Sequence, residues 1–525
     1  MGQQRGMLAL MVALLLVGFA LRARQITALP LYQDETYHLR RAQAVMRFAD
    51  NPIAYAHGKL LLYYWIGLFR PAYTEAGLAA ARLGVALTGL LAAAGSAALA
   101  RALSGRGAAL LALGFMLFAP WALFYDRLAM SDTPAAALAV LAGWWTLAVI
   151  RRPTRQRGIA LGVLLGLALL AKLSTAPLLG LPPLAALLFG GEGLPLRERW
   201  ARARPALLPA AMIVLAIGGL YALGALENAL SGRPQEPYDP ELFDAARGLD
   251  GARDNLQMVW EASARYLSRP LVIALPVLAA ALVWRRPRAG AYLLAWLLGF
   301  SAPFIAFAVA FQTRYFVPAL PVLGAIFGGG WIAPGKPARR STATVLGAGA
   351  LAIWVLSFAL PFARTLSGDP AALDVAAIDR RNFFRYTSNA WGTREAIAEL
   401  EASGDRLAGR VPLIGAMHYC TLPDLYITPA FDWTCMDARF SFLPQTRMPD
   451  DVYAWPALID AVQRQPFTYL LTDYLPPERD LSDDALRWAP VAAYRRPQGK
   501  QWVTVWRVTL VDPAALARRL DMPGQ

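Results

Sequence analysis

The stretch TPAAALAVLAGWWTLAVIRRPTRQR, residues 133–157, decides how the chain is read. Eighteen residues without a charge lead into a turn that carries Arg151, Arg152, Arg155 and Arg157. About 20 mostly apolar residues cross a bilayer as a helix, and short arginine-rich turns mark the cytoplasmic side. The pattern recurs at 7–23, 77–100, 107–125, 133–150, 158–171, 173–189, 206–226, 271–284, 289–311, 315–333 and 342–363, which makes eleven expected spans. Counting all eleven puts the basic turns on one side: Arg101/Arg106, Arg151–Arg157, Arg197–Arg204, Arg285–Arg288 and Lys336–Arg340. The N-terminus is then cytoplasmic. Loops 24–76 and 227–270 and the tail lie outside.

Composition agrees. Of 525 residues, 57% are hydrophobic and 17% charged, against about a quarter charged in soluble proteins. The net charge of +15 (51 basic, 36 acidic) would suit nucleic acid, but most of it sits in the turns and reports orientation. Arg5 and the apolar run after it are followed by Leu21-Arg22-Ala23-Arg24 instead of a small-residue cleavage site, so the first span is expected to stay attached. Residues 1–364 are expected to form the membrane domain and 365–525 a soluble extracytoplasmic α/β or α+β domain. There Trp391–Ser403 reads as a helix with Thr393 as its N-cap, and Val411–Ala416, Thr468–Thr472 and Gln501–Val508 read as strands. Cys420 and Cys435, the only cysteines, lie on the oxidising side. They are expected to form a disulfide, the alternative being two buried thiols.

Charges that orientation does not explain are candidates for function. Gln33-Asp34-Glu35-Thr36-Tyr37-His38 follows the first span, and Leu39–Asp50 after it reads as a basic interfacial helix. The acid pair suits a base, a metal ligand or a solvated loop. His57-Gly58-Lys59 leads into Leu60–Trp65, a segment too short to span. Lys59 suits an anionic head group or simple snorkelling. In Tyr125–Pro134, Asp132 either caps the next span or faces the outer side with Asp34. Lys172 and Arg314-Tyr315 fall on that side too and call for an anionic partner or a local carboxylate. Cations that hold a departing phosphate, with a carboxylate to deprotonate a hydroxyl, suit chemistry on a lipid-linked phosphate. A glycine-rich nucleotide turn, a Ser-His-Asp arrangement and H-E-x-x-H are missing from the sequence, and three histidines leave little for a zinc cage.

Asp34-Glu35-x-Tyr37-His38, Tyr55-x-His57-Gly58, Leu62–Tyr64, Arg82, Tyr125-x-Arg127 with Asp132, Ala171-Lys172 and Arg314-Tyr315 with Pro318 and Pro321 together resemble the GT-C membrane glycosyltransferases. The similar branch is the bacterial relatives of dolichyl-phosphate-mannose–protein mannosyltransferases and lipid A aminoarabinose transferases, over about residues 1–340. The resemblance implies an inverting hexosyl or pentosyl transferase of the inner (plasma) membrane. It would move a sugar from a polyprenyl-phosphate donor to a hydroxyl on a protein, glycolipid or glycan. Asp34 would be the base, with Glu35 and Asp132 orienting it or the acceptor. Lys59, Arg127, Lys172, Arg314 and Tyr315 would surround the donor phosphate. His38 and His57 would touch acceptor or metal, a divalent ion (Mg, Mn or Zn) being bound in some members. The run His57–Leu61 departs from the family pattern in lacking prolines. Other classes predict otherwise. A secondary transporter or flippase would carry inverted repeats, which the sequence lacks, and a binding protein would work through its tail alone.

Overall fold

The computed structural model describes residues 2–47, 59–69, 72–191, 193–230, 248–309, 311–332, 337–403, 410–435 and 455–521. The chain forms two compact units. The first comprises Met1–Ala28, His38–Pro71 and Ala79–Ala377, and the second Leu29–Tyr37, Ala72–Leu78 and Ile378–Gln525. The boundary expected at residue 364 therefore falls inside the first unit. Glu261 accepts the Ala377 amide at 3.1 Å and Arg265 pairs with Asp374, so residues past 364 stay with the helices.

The first unit is helical. Among the described residues, six helices are long and apolar enough to cross a membrane, or seven if one bent pair counts as a single span. They are Arg5–Ala23, Glu75–Ser104, Asp132–Arg151, Leu196–Gly224, Pro287–Phe307 and Thr342–Gly368. The eleven expected spans are not all continuous helices, for local reasons. Residues 107–125 break at Ala119 (ψ 117°), ahead of Pro120, into Arg106–Phe118 and Pro120–Tyr125. Residues 173–189 begin as a 3₁₀ turn, Leu173–Gly180, and 315–333 begins inside the 3₁₀ turn Thr313–Ala319. Both turns contain a proline, Pro177 and Pro318, which removes a helix hydrogen bond. Leu249–Leu267 and Arg269–Arg285 meet at 107°, where Ser268 has φ 71°.

The helices are named here in chain order. α1 is Gly2–Ala23, α2 Gln33–Arg47, α3 Leu60–Leu68, α4 Asp132–Arg151, α5 Arg155–Ala171 and α6 Leu196–Leu230. Along α5, glycines recur every fourth residue and let α6 approach closely. A Cβ on Gly158 would lie 2.1 Å from the Ala206 carbonyl oxygen, and one on Gly162 would lie 2.7 Å from that of Ala210.

The end of α1 is fixed by charge. Arg22, fully buried, donates from Nε to Asp126 Oδ2 at 2.8 Å and from Nη1 to the Gly18 and Leu117 carbonyls at 3.0 and 3.1 Å. Thr133 Oγ1 donates to the other carboxylate oxygen at 2.9 Å.

The second unit carries a five-stranded mixed sheet. Its strands are β1 Val411–Ala416, β2 Phe431–Cys435, β3 Thr468–Thr472, β4 Leu486–Arg495 and β5 Trp502–Leu510, in spatial order β2-β1-β3-β5-β4. β1 runs parallel to β2 and β3, and β5 is antiparallel to β3 and β4. Alternate residues face opposite ways. Leu470, Trp506 and Val508 pack with Leu458 and Leu516 of two helices, while Leu413, Tyr469 and Val505 pack with Ile397 and Leu400 of Thr393–Ala402. Helices thus cover both faces, making this part an α/β layer structure. The expected cap Thr393 is the first helical residue; Gly392 (φ 79°) holds the cap position, which favours a residue without a side chain. β2 and β4 were not expected from the sequence. β2 is a five-residue edge strand and β4 is interrupted by Pro490 and a register shift.

Removing the Arg22 side chain leaves Asp126 buried without its cation. Arg22→Leu should therefore cost about 3–5 kcal/mol, read as a lower melting temperature of detergent-purified protein. Adding Asp126→Leu should recover part of the loss. An unchanged melting temperature in Arg22→Leu would remove the pair from the scaffold.

Candidate active site

In the first unit three groups that are far apart in sequence meet. Asp132 opens α4 and is buried. Lys172, in extended conformation (φ −165°, ψ 123°), ends α5 and starts the Leu173–Gly180 turn. Its ammonium pairs with the Asp132 carboxylate and lies 4.9 Å from the centre of the Tyr315 ring. The Arg314 guanidinium carbon is 5.8 Å from the same ring. Tyr315 stacks on Phe304 at 5.1 Å, and Tyr125 OH bonds Thr313 Oγ1 at 2.5 Å. The proline that breaks the helix at 313–319 thus presents Arg314 and Tyr315 from a short turn. The arrangement places the Lys172 ammonium between the Asp132 carboxylate and the Tyr315 ring, with Arg314 beside that ring. Lys172 is nearly covered, its side chain 12% exposed, and a cation so placed interacts with an anion far more strongly than in water.

A second group lies on α2 and before α3. His38 is buried and its Nδ1 lies 2.7 Å from the Ala129 carbonyl oxygen. A carbonyl only accepts, so Nδ1 carries the proton, and the Lys59 ammonium 3.4 Å from Nε2 donates to that nitrogen. Arg41 donates to Tyr63 OH at 3.2 Å, and the His38 and Tyr63 rings lie 5.8 Å apart. Lys59 is therefore joined to His38 instead of hanging as a loose surface charge. His57 lies outside the described residues.

Arg127, expected beside the donor phosphate, is 1% exposed. It donates to Ser367 Oγ at 2.8 Å and to the Arg24 and Gln25 carbonyls at 2.9 and 2.5 Å. Two of its donors hold the chain that leaves α1, and a third holds Ser367. Arg82, also fully buried, holds the Ile26 carbonyl at 3.0 Å.

The second unit contains Asp34 and Glu35, in the first turn of α2. Glu35 is fully buried and accepts the Tyr32 amide at 3.1 Å, the reciprocal half of a capping box. That is a structural task. Asp34 is half-buried. Around it Gln33 N donates to the Ser388 carbonyl at 2.9 Å, Leu31 N to Tyr426 OH at 3.3 Å, and Thr36 Oγ1 to Thr421 Oγ1 at 3.1 Å. Burial raises the Tyr419 phenol pKa, and the Asp34 charge raises it further. Next to Tyr419, Cys420 is joined to Cys435, their Cα atoms 5.8 Å apart. Tyr419 was not picked out from the sequence; a tyrosine next to a cysteine carries no motif, and only the fold brings it near the acid pair. The same holds for His418, whose Nδ1 bonds Asp473 Oδ1 at 2.9 Å while its amide bonds Oδ2 at 3.1 Å.

Among the described residues no three His, Cys, Asp or Glu side chains gather as a metal ligand set. Asp132 is committed to Lys172 and Glu35 to a backbone amide.

With this geometry in place, the relatives can be compared. Residues 59–218 match the family described as dolichyl-phosphate-mannose-protein mannosyltransferase. No curated protein matches the sequence. Among solved structures, the chain is similar to ArnT from Cupriavidus metallidurans bound to undecaprenyl phosphate, at 18% identity and a TM-score of 0.60, over 95% of this chain and 98% of that one. It is also similar to apo ArnT from the same organism, at 17% identity and a TM-score of 0.58, over 99% and 100%. Over residues 59–218 the chain is thus similar to that mannosyltransferase family, and its fold is similar to that of ArnT.

His418 supplies a pH test. Its hydrogen bond to Asp473, helped by that carboxylate's charge and opposed by burial and by Arg496, raises its pKa above the ordinary 6.5. The stabilisation is fully present below the unfolded value and is lost as pH rises through the higher folded one. Between about pH 6 and pH 8 the melting temperature of the tail, followed by tryptophan fluorescence, should fall. His418→Gln should flatten that dependence, and equal slopes in both proteins would dissociate His418 from it.

Proposed function

We propose that the chain is an inverting glycosyltransferase that moves a sugar from a polyprenyl-phosphate donor to an acceptor hydroxyl on the extracytoplasmic face. The observation that carries this reading is the Asp132–Lys172–Tyr315–Arg314 cluster. In the reaction the acceptor oxygen attacks the anomeric carbon and the bond from that carbon to the phosphate oxygen breaks. The leaving group is a phosphate monoester, and its new negative charge needs cations held in place beforehand. Lys172 and Arg314 are assigned that task, with Lys59 assisting and Tyr315 keeping the cations in register. As phosphate enters, Lys172 exchanges part of its bond to Asp132 for the ligand. Asp132 thereby prevents the empty site from burying a lone ammonium.

Asp34 is assigned as the base that removes the acceptor proton, because Glu35 is taken by the helix start and Asp34 is half-buried beside a phenol. A single displacement inverts the anomeric centre. The ArnT structure with undecaprenyl phosphate supports a lipid-phosphate donor, and the family matched over 59–218 transfers sugars from a related carrier. The finer topology belongs to the same proposal. It has eleven crossings, some broken, a cytoplasmic N-terminus and an outer tail in the inner (plasma) membrane. A protein, glycolipid or glycan hydroxyl is the acceptor.

Asp34→Asn should lower transfer from a polyprenyl-phosphate sugar by about 10²–10⁴-fold while the melting curve stays unchanged. Lys172→Met should instead weaken binding of the polyprenyl phosphate product. Full activity in Asp34→Asn, measured with radiolabelled donor in proteoliposomes, would take the base role away from that residue.

A further inference from the structure

The β4–β5 hairpin carries a cluster that the transfer reaction leaves unused. Its turn, Arg496-Pro497-Gln498-Gly499-Lys500-Gln501, is closed by a bond from Arg496 N to the Gln501 carbonyl at 2.9 Å. Gln498 sits in the left-handed region (φ 57°). Arg495 Nε donates to the Gly499 carbonyl at 3.0 Å, which folds that side chain back over the turn. The turn abuts Arg385: a Cβ on Gly499 would lie 3.2 Å from the Arg385 carbonyl oxygen. Turn and neighbour enclose a cavity of about 830 Å³. Arg385, Arg495, Arg496 and Lys500 line it together with Tyr386 and Gln501, and among the described residues no acid does.

Four cations around one cavity are costly unless something anionic enters. Three of them are exposed, and water screens them. Arg496 is different, at 1% exposed. Its Nη1 bonds the Asn389 carbonyl and side-chain oxygens at 2.6 and 2.8 Å, but Nε and Nη2 have no partner. Gln501 Oε1 in the same lining is a buried acceptor without a donor. Asp473, already bonded to His418, offsets only part of the charge, and burial still lowers the Arg496 pKa to about 10. At neutral pH Arg496 therefore stays charged, with two donors unused. Leaving such groups buried and unpaired costs more than any surface charge does.

We infer that the cavity at the β4–β5 turn is a binding site for a phosphomonoester. Arg496 Nε and Nη2 present two N–H groups to one phosphate, a geometry guanidinium serves well. Arg385, Arg495 and Lys500 neutralise the rest of its charge. Gln501 Oε1 accepts an O–H from the phosphate or from the group that carries it. Tyr386, exposed and with the Arg381 guanidinium 4.6 Å from its ring centre, gives that carrier an aromatic face. The phosphate belongs either to a soluble ester or to a lipid head group. The chemistry at the cavity is the same for both, and the site does not depend on the assignment of Asp34.

Isothermal titration of the full chain in neutral detergent tests this, with inorganic phosphate, glycerol 3-phosphate and short-chain phosphatidic acid as probes and glycerol as the blank. Saturable binding of the phosphates and none of glycerol is expected. Arg495→Ala/Lys500→Ala, on exposed side chains, should weaken it by about tenfold or more. Arg496→Met should do the same if it folds, and the exposed pair decides the matter if it does not. Phosphatidic acid binding at least about tenfold tighter than glycerol 3-phosphate assigns the site to a lipid head group, and equal affinity assigns it to a soluble ester. No saturable binding, or binding unchanged in Arg495→Ala/Lys500→Ala, overturns the site.

Discussion

One buried ion pair holds the functional end of the helical unit together. Arg22 closes α1 against Asp126, and Thr133 takes the remaining carboxylate oxygen. The next residue, Arg127, reaches back to the carbonyls of Arg24 and Gln25. Two consecutive residues of one turn thus fix the end of the first span and the direction in which its chain leaves. The same turn runs into Asp132 at the start of α4. The position of Asp132 follows from that anchoring, and so does the placement of Lys172. Buried ion pairs add little net stability on average, but breaking one is expensive. Such a pair therefore specifies geometry more than it adds stability.

The second unit solves a related problem with hydrogen bonds. The acid-bearing turn Gln33–Tyr37 belongs to it, although every strand of the sheet lies from Val411 onward, far along the sequence. Ser388, Tyr426 and Thr421 hold its backbone and side chains. The Cys420–Cys435 bridge closes the loop that carries Thr421 and Tyr426, next to Tyr419. Glu35 caps the turn, and Asp34 beside it is half-buried. Adjacent carboxylates that look alike in sequence differ because one of them accepts the Tyr32 amide.

The membrane class was legible in apolar runs and arginine-rich turns, since bilayer thickness and orientation act on composition directly. Lys59, Lys172 and Arg314 were legible as cations in the wrong place, and Asp132 as an acid pinned between helices. Arg127 looked the same in sequence but is a backbone clamp, because burial and carbonyl partners are tertiary facts. Arg22, read only as evidence against cleavage, turned out to pair with Asp126. Its signal was present as a charge at a span end, but its partner lies 104 residues away. Span continuity was over-read: hydropathy averages over windows and does not register the backbone break ahead of Pro120 or the 3₁₀ turns around Pro177 and Pro318.

By itself, then, the sequence determined where the chain can enter a bilayer and which side chains are too polar for their position. Those properties belong to single residues and their neighbours. Only the tertiary structure decided which of those charges meet a partner: Lys172 with Asp132 over Tyr315, His38 with Lys59, Arg127 with bare carbonyls. Whether a charge is free for a ligand depends on distances of a few ångströms between segments far apart in the chain. No local pattern encodes those distances.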